Sequence, residues 1–272
     1  MQAELIMVGT ELLLGEIVDT NATFLARNLA DMGIDVFYKS TVGDNLGRIQ
    51  GILGLALDRS DVVILSGGLG PTDDDLTREA VSHALGRPLM EDQDALREIE
   101  AWFEKRYGYQ VPMPEHNRKQ ALFPMGSQIV PNPVGTAPGF WVEKDGKIVI
   151  ALPGVSQELQ AMFTATVAGV LLTQAPGQAL VIRNLHFVGI GESSLEALLD
   201  DLISAQTSPT LALYASGGTV RVRLAVKAVS RQAGLEAVAP LEREIRQRAQ
   251  DYFYGVDGQT LEEAVASKLM DG

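Results

Sequence analysis

Apolar runs of strand length alternate with amphipathic helical stretches through the first two-thirds of the chain, and this alternation constrains the fold most. ELIMVG is a short apolar run, NATFLARNLADMG places apolar residues three and four apart and stops at Gly33, and IDVFYKSTVG reads as a second strand. LGRIQGILGLALDRS follows as a helix, DVVILSGG as a very apolar strand ending in glycines, and DLTREAVSHALG as a helix with Thr72 or Asp73 as N-cap and Gly86 at its end. DALREIEAWFEKRYG reads as a further helix, VPMPEHNRKQALFPMG as a proline-bounded loop with a short helix, and NPVGTAPGFWVEKDGKIVIALPG as two strands turning at 144–147. SQELQAMFTATVAGVLL is a closing helix. The expected fold is α/β, a mostly parallel sheet with helices on both faces, and such sheets bind ligands at the carboxyl ends of their strands.

Around TQAPGQA the composition changes to that of a linker, and the residues beyond it read as a smaller α+β unit. It runs strand (ALVIRNLHFVG), helix (SSLEALLDDLISAQ), two strands (TLALYAS and TVRVRLAVKAV) turning on Gly217 and Gly218, helix, and a last short strand (DYFYG). The expected domains are 1–175 and 177–256, with 257–272 as the start of a helix or a linker to a third domain that the sequence does not contain.

The chain has no cysteine and three scattered histidines (His83, His116, His186), so any metal must be oxygen-ligated. Residues 1–175 hold 13 Lys and Arg against 23 Asp and Glu, a net charge of −10 within a total of −13. That balance argues against nucleic acid as a partner. No apolar run approaches the roughly 18–20 residues that span a bilayer, and the N-terminus lacks a signal-peptide layout, so the expectation is a cytoplasmic protein with no membrane partner.

The sharpest local feature is GGLGPTDDD at 67–75, which follows a buried strand. Glycines let backbone amides approach an oxyanion without a Cβ in the way, and the next helix adds partial positive charge at its N-terminus. Three aspartates beside such a cradle repel phosphate unless a divalent cation lies between. The competing reading is that Asp73, Asp74 and Asp75 only cap the helix.

Six segments in order, GTELLLGEIVDTN, VGDN, SGGLGPTDDDLTREA, EHNRKQALFP, NPVGTAPGF and ALPGVSQELQAMF, resemble the CinA (competence/damage-inducible) family. The resemblance implies a first domain with the fold shared by molybdopterin adenylyltransferases, followed by a KH-like domain. Many members carry a nicotinamide-nucleotide amidohydrolase domain after these, of which only TLEEAVASKLMDG stands here, so no deamidation of nicotinamide mononucleotide is expected. The resemblance further implies homodimers and hydrolysis of ADP-ribose to AMP and ribose 5-phosphate, with a divalent metal cation (magnesium, manganese or cobalt) as cofactor.

Carried over residue by residue, the resemblance implies catalytic roles for Asp44, Asp75, Lys119 and Glu158, and metal ligation by Asp44 and Asp75 with Asp74 or Asp73. Gly67, Gly68, Leu69, Gly70, Thr72, Asn117, Arg118, Gln120, Gly135 and Thr136 become the substrate-binding set. The amides of residues 67–70 are assigned one phosphate of a nucleotide diphosphate and Lys119 the other, with Arg118 as the alternative cation. Glu11 and Asn21 lie in the opening motif near the same sheet edge, and Phe140 or Trp141 is a candidate for stacking on a base. Leu69 and Asp74 stand where adenylyltransferases have Thr and Arg, which moves the reading towards the CinA branch. Two other classes stay open: a pterin-binding or nucleotidyl-transferring protein, and a non-enzymatic interaction module. The Ser216–Gly217–Gly218 turn superficially resembles a KH GxxG loop but carries no basic residue.

Overall fold

A computed structural model describes residues 1–108, 112–174, 179–205 and 208–270. The chain divides into two compact units, the first holding most of residues 1–176 and the second residues 177–272. The linker expected at TQAPGQA lies largely outside the described residues.

The first unit runs β1 (Gln2–Val8), α1 (Thr10–Leu14), α2 (Thr20–Asp31), β2 (Asp35–Val42), α3 (Leu46–Arg59), β3 (Val62–Ser66), α4 (Thr77–Leu85), β4 (Leu89–Glu91) and α5 (Gln93–Tyr107). A 3₁₀ helix (Glu115–Ala121) leads into β5 (Leu122–Pro124), β6 (Gln128–Val130), β7 (Gly139–Lys144), β8 (Lys147–Leu152), α6 (Ser156–Met162), a π-turn (Phe163–Val167) and α7 (Ala168–Gln174). The main sheet has the order β2-β1-β3-β8-β7-β6. Its first four strands are mutually parallel, while β7 runs antiparallel to both neighbours. Every residue of β3 is buried, as are six of the seven in β1, because helices cover both faces.

Three details differ from the sequence expectation. Helix α4 begins at Thr77, and its N-cap Leu76 makes no side-chain bond, so neither Thr72 nor Asp73 caps it. The helix-capping account of the three aspartates therefore fails. Thr72 instead donates its amide to Asp75 Oδ2 (2.9 Å) and shares its hydroxyl proton between Asp75 Oδ2 (2.6 Å) and Asp74 Oδ1 (2.5 Å), closing a turn ahead of the helix. Helix α1 and the three-residue strands β4, β5 and β6 are too short to leave a periodic signal, and none is expected from the sequence. Phe140 is fully buried and packs edge-on against Phe123 at 6.0 Å, so it belongs to the core and offers no face to a base.

The second unit runs β9 (Ala179–Val188), α8 (Glu192–Ala205), β10 (Thr210–Ser216), β11 (Thr219–Ala228), α9 (Arg231–Arg248), β12 (Phe253–Val256) and α10 (Leu261–Met270). Its antiparallel sheet has the order β10-β11-β9-β12. Gly217 and Gly218 take φ of 59° and 80°, the left-handed pair a two-residue hairpin needs. Leu195, Leu199, Val238 and Ile245 from the two long helices bury against Leu185, Phe187, Val222 and Leu224 of the sheet.

Candidate functional site

The carboxyl ends of β1, β3 and β8 open onto a cavity of about 650 Å³, walled in part by Asp44 from the loop after β2. At its floor, glycine is required by sterics. A Cβ on Gly67 would stand 2.1 Å from the Val8 carbonyl oxygen, and one on Gly68 2.4 Å from Thr77 Oγ1, at φ of +107° and +67°. Thr77 donates its hydroxyl to the Gly67 carbonyl (2.7 Å) and its amide to that of Gly68 (3.2 Å), locking the turn onto α4. The Gly67 amide is spent on Leu152 O at 3.0 Å, which removes it from the expected oxyanion cradle. The amides of Gly68, Leu69 and Gly70 donate to no acceptor among the described residues.

Carboxylates surround this floor. Asp44 and Asp75 both wall the cavity, each half-buried and each using Oδ2 on a threonine: Thr10 donates to Asp44 from its hydroxyl (2.7 Å) and its amide (2.9 Å) as Thr72 does to Asp75. Asn45, whose side chain accepts from Arg48 N, caps α3 and so relieves Asp44 of that role. Asp74 also faces the cavity, and its carboxyl is held below the usual range chiefly by the Thr72 hydroxyl. Glu11 and Glu158 complete the acidic wall. Glu158 is held by Asn132 Nδ2 at 2.6 Å, and its carboxylate fills the space that a side chain on Gly135 would need. Asp73 is exposed and is not among the lining residues.

The expected cations stand elsewhere. Lys119 turns its ammonium to the carbonyls of Thr72 (3.0 Å) and Asp75 (2.6 Å) and to Glu79 (3.3 Å), bracing the turn from outside the lining. Arg118 pairs bidentately with Glu91 at 2.9 and 2.8 Å, holding that carboxyl below its ordinary range. Neither lines the cavity, and no lining residue is a Lys or Arg. Asn117 is buried and donates to Gln120 Oε1 (3.1 Å); Gln120 reaches Thr136 Oγ1 (3.4 Å), and these last two do line the cavity. Thr72 and Gly135 support the wall through Asp75 and Glu158.

Two residues escaped the sequence reading. Arg78 is fully buried and ties together two loops and the 3₁₀ helix of the site, donating to the carbonyls of Leu69 (2.9 Å), Gln120 (3.3 Å) and Pro138 (3.3 Å). Burial pulls its pKa down to about 10 against the opposing pull of Glu79 and Asp75. Asn132 holds the proline-rich loop by accepting from the amides of Val134 and Gly135 and donating to Ala137 O and Glu158.

Residues 4–173 match the family described as "Probable molybdopterin binding domain", and residues 182–255 that described as "Damage-inducible protein CinA KH domain". A crystallised CinA protein of unknown function from Thermoplasma acidophilum is 39% identical, with a TM-score of 0.57 over 62% of this chain and 99% of that one. The chain belongs to the CinA family. A putative competence-damage inducible protein from Symbiobacterium thermophilum is 50% identical over all of this chain, and one from Caldicellulosiruptor bescii is 48% identical. This CinA chain spans 64% and 65% of their respective lengths.

Every lining carboxylate of this CinA chain is an oxygen donor, and Asp44 and Asp75 each keep Oδ1 free of protein partners among the described residues. Among those residues no three His, Asp or Glu side chains converge into a metal cage. The arrangement suits a hard cation that takes one or two carboxylates and completes its shell with water and ligand oxygens.

Proposed function

We propose that the first unit binds a phosphorylated pterin or nucleotide in this cavity, its phosphate resting on the amides of Gly68, Leu69 and Gly70. The carrying observation is the pairing of those unspent amides with a wall of five carboxylates and no cation. A bare phosphate would be repelled there, so a divalent cation between the phosphate and Asp44 and Asp75 reconciles the two halves. The match to a molybdopterin-binding domain supports the pterin branch.

A second reading is cleavage of a diphosphate such as ADP-ribose to AMP and ribose 5-phosphate, favoured by Glu158. Its carboxylate, fixed by Asn132, borders the same cavity and suits a base that takes a proton from water. The bound cation would supply neutralisation of the charge that develops on the phosphate oxygens.

One experiment separates the readings. Purified protein is incubated with molybdopterin and with ADP-ribose, each with magnesium or manganese and with EDTA, and both binding and products are measured. Metal-dependent binding without turnover supports the first reading, and release of AMP supports the second. An interaction module would bind neither ligand.

A further inference from the structure

A small chamber of about 40 Å³ opens beside the main cavity, sharing Val8, Glu11, Gly154 and Ser156 as walls, with Asn21 at its side. Asn21 is 8% exposed. Its Nδ2 donates to Gly154 O at 2.7 Å and to Ser66 Oγ at 3.1 Å, which fixes the amide so that Oδ1 is the acceptor on the other side. That Oδ1 is buried without a hydrogen-bond partner among the described residues. We infer that this chamber takes the ring amino group of the ligand, its N–H donating to Asn21 Oδ1.

The inference rests on the phosphate reading above and adds the identity of the ligand's other end. Beside Asn21 Oδ1, the carboxylates at the chamber add further acceptors. Asp19 Oδ2 also lacks a hydrogen bond, although Lys39 Nζ lies 3.5 Å away, and Asp19 Oδ1 accepts from Ala22 N. Thr20 and Ser156 bond to each other at 3.1 Å, while Ser66 donates to Pro153 O. Asn21 Oδ1 selects an N–H donor, because an acceptor facing an acceptor stays unpaired. Its size admits an amino group. Among phosphorylated heterocycles, the exocyclic amine is present both on the 2-amino-4-oxopyrimidine ring of pterins and guanine and on the 6-aminopurine ring.

Calorimetric titration with magnesium tests it. The probes are ribose 5-phosphate, GMP against IMP, which lacks only the 2-amino group, and AMP against purine riboside 5′-monophosphate, which lacks only the 6-amino group. One amino-bearing nucleotide is expected to bind about 10-fold tighter than its partner, the scale of one buried hydrogen bond. A GMP preference assigns the chamber to the pterin-type edge and an AMP preference to the adenine-type edge. Asn21→Leu should erase the preference and keep ribose 5-phosphate binding, with a melting temperature close to wild type showing that the variant is folded. Equal affinities in both pairs would overturn the inference. So would a preference that survives Asn21→Leu. Loss of ribose 5-phosphate binding in a stably folded Asn21→Leu would reduce Asn21 to a support for Gly154 and overturn it too. If wild-type protein binds none of the five probes, the phosphate cradle is wrong and the inference falls with it.

Discussion

Arg78 gathers the Gly-rich turn, the 3₁₀ helix and the proline-rich loop through three carbonyls while fully buried. Arg78→Met should therefore lower stability by about 3 kcal/mol, as buried carbonyls lose their donor, and abolish ligand binding. Arg118→Ala, which frees only an exposed pair with Glu91, should leave binding unchanged with little shift in melting temperature. The small stabilisation from that pair has a set sign. Arg118 depresses the Glu91 pKa, so the contribution is present above the ordinary value of 4.5 and lost as pH falls through the depressed one. Melting curves of wild type and Arg118→Ala should converge on the acid side. Asp44 and Asp75 were legible because their motifs place them after strands. Lys119 and Arg118 were not, because their partners Asp75 and Glu91 lie 44 and 27 positions away. Arg78 left one usable signal: a cation next to Thr77 and Ala80 on the buried face of a helix.

At the scale of elements, the long strands and helices follow from apolar periodicity, and the hairpin at Gly217 and Gly218 from its glycine pair. The start of α4 was not legible, since Thr72 and the aspartates satisfy cap chemistry on paper. Only the folded turn shows that Thr72 bonds to Asp75 instead. The glycine turns give a matched test. Gly67→Ala places a methyl group against Val8 O at positive φ and should prevent folding of the first unit to a soluble form. Gly217→Ala meets nothing within 4 Å at φ of 59° and should cost only about 1 kcal/mol of left-handed strain. Thermal unfolding of both proteins checks the contrast.

Over the whole molecule, no helix among the described residues is long and apolar enough to cross a membrane. The acidity of residues 1–175, 13 Lys and Arg against 23 Asp and Glu, makes the unit that holds the cavity repel anions at long range. Raising ionic strength from about 0.01 M to about 0.15 M shortens the screening length from about 30 Å to about 8 Å and should speed association of a phosphorylated ligand. Stopped-flow rates that fall with salt would speak for basic steering instead. The central claim is that Asp44 and Asp75 engage phosphate through a divalent cation. Its most direct measurement is the affinity of a phosphorylated ligand for wild type, Asp75→Asn and Asp73→Asn, with magnesium and with EDTA, beside melting temperatures. The account predicts magnesium-dependent binding that falls by about 100-fold in Asp75→Asn at unchanged melting temperature, because asparagine still accepts from Thr72 but lacks the charge. Asp73→Asn should bind as wild type does. Wild-type binding that EDTA leaves intact, or full affinity in a stably folded Asp75→Asn, would contradict it.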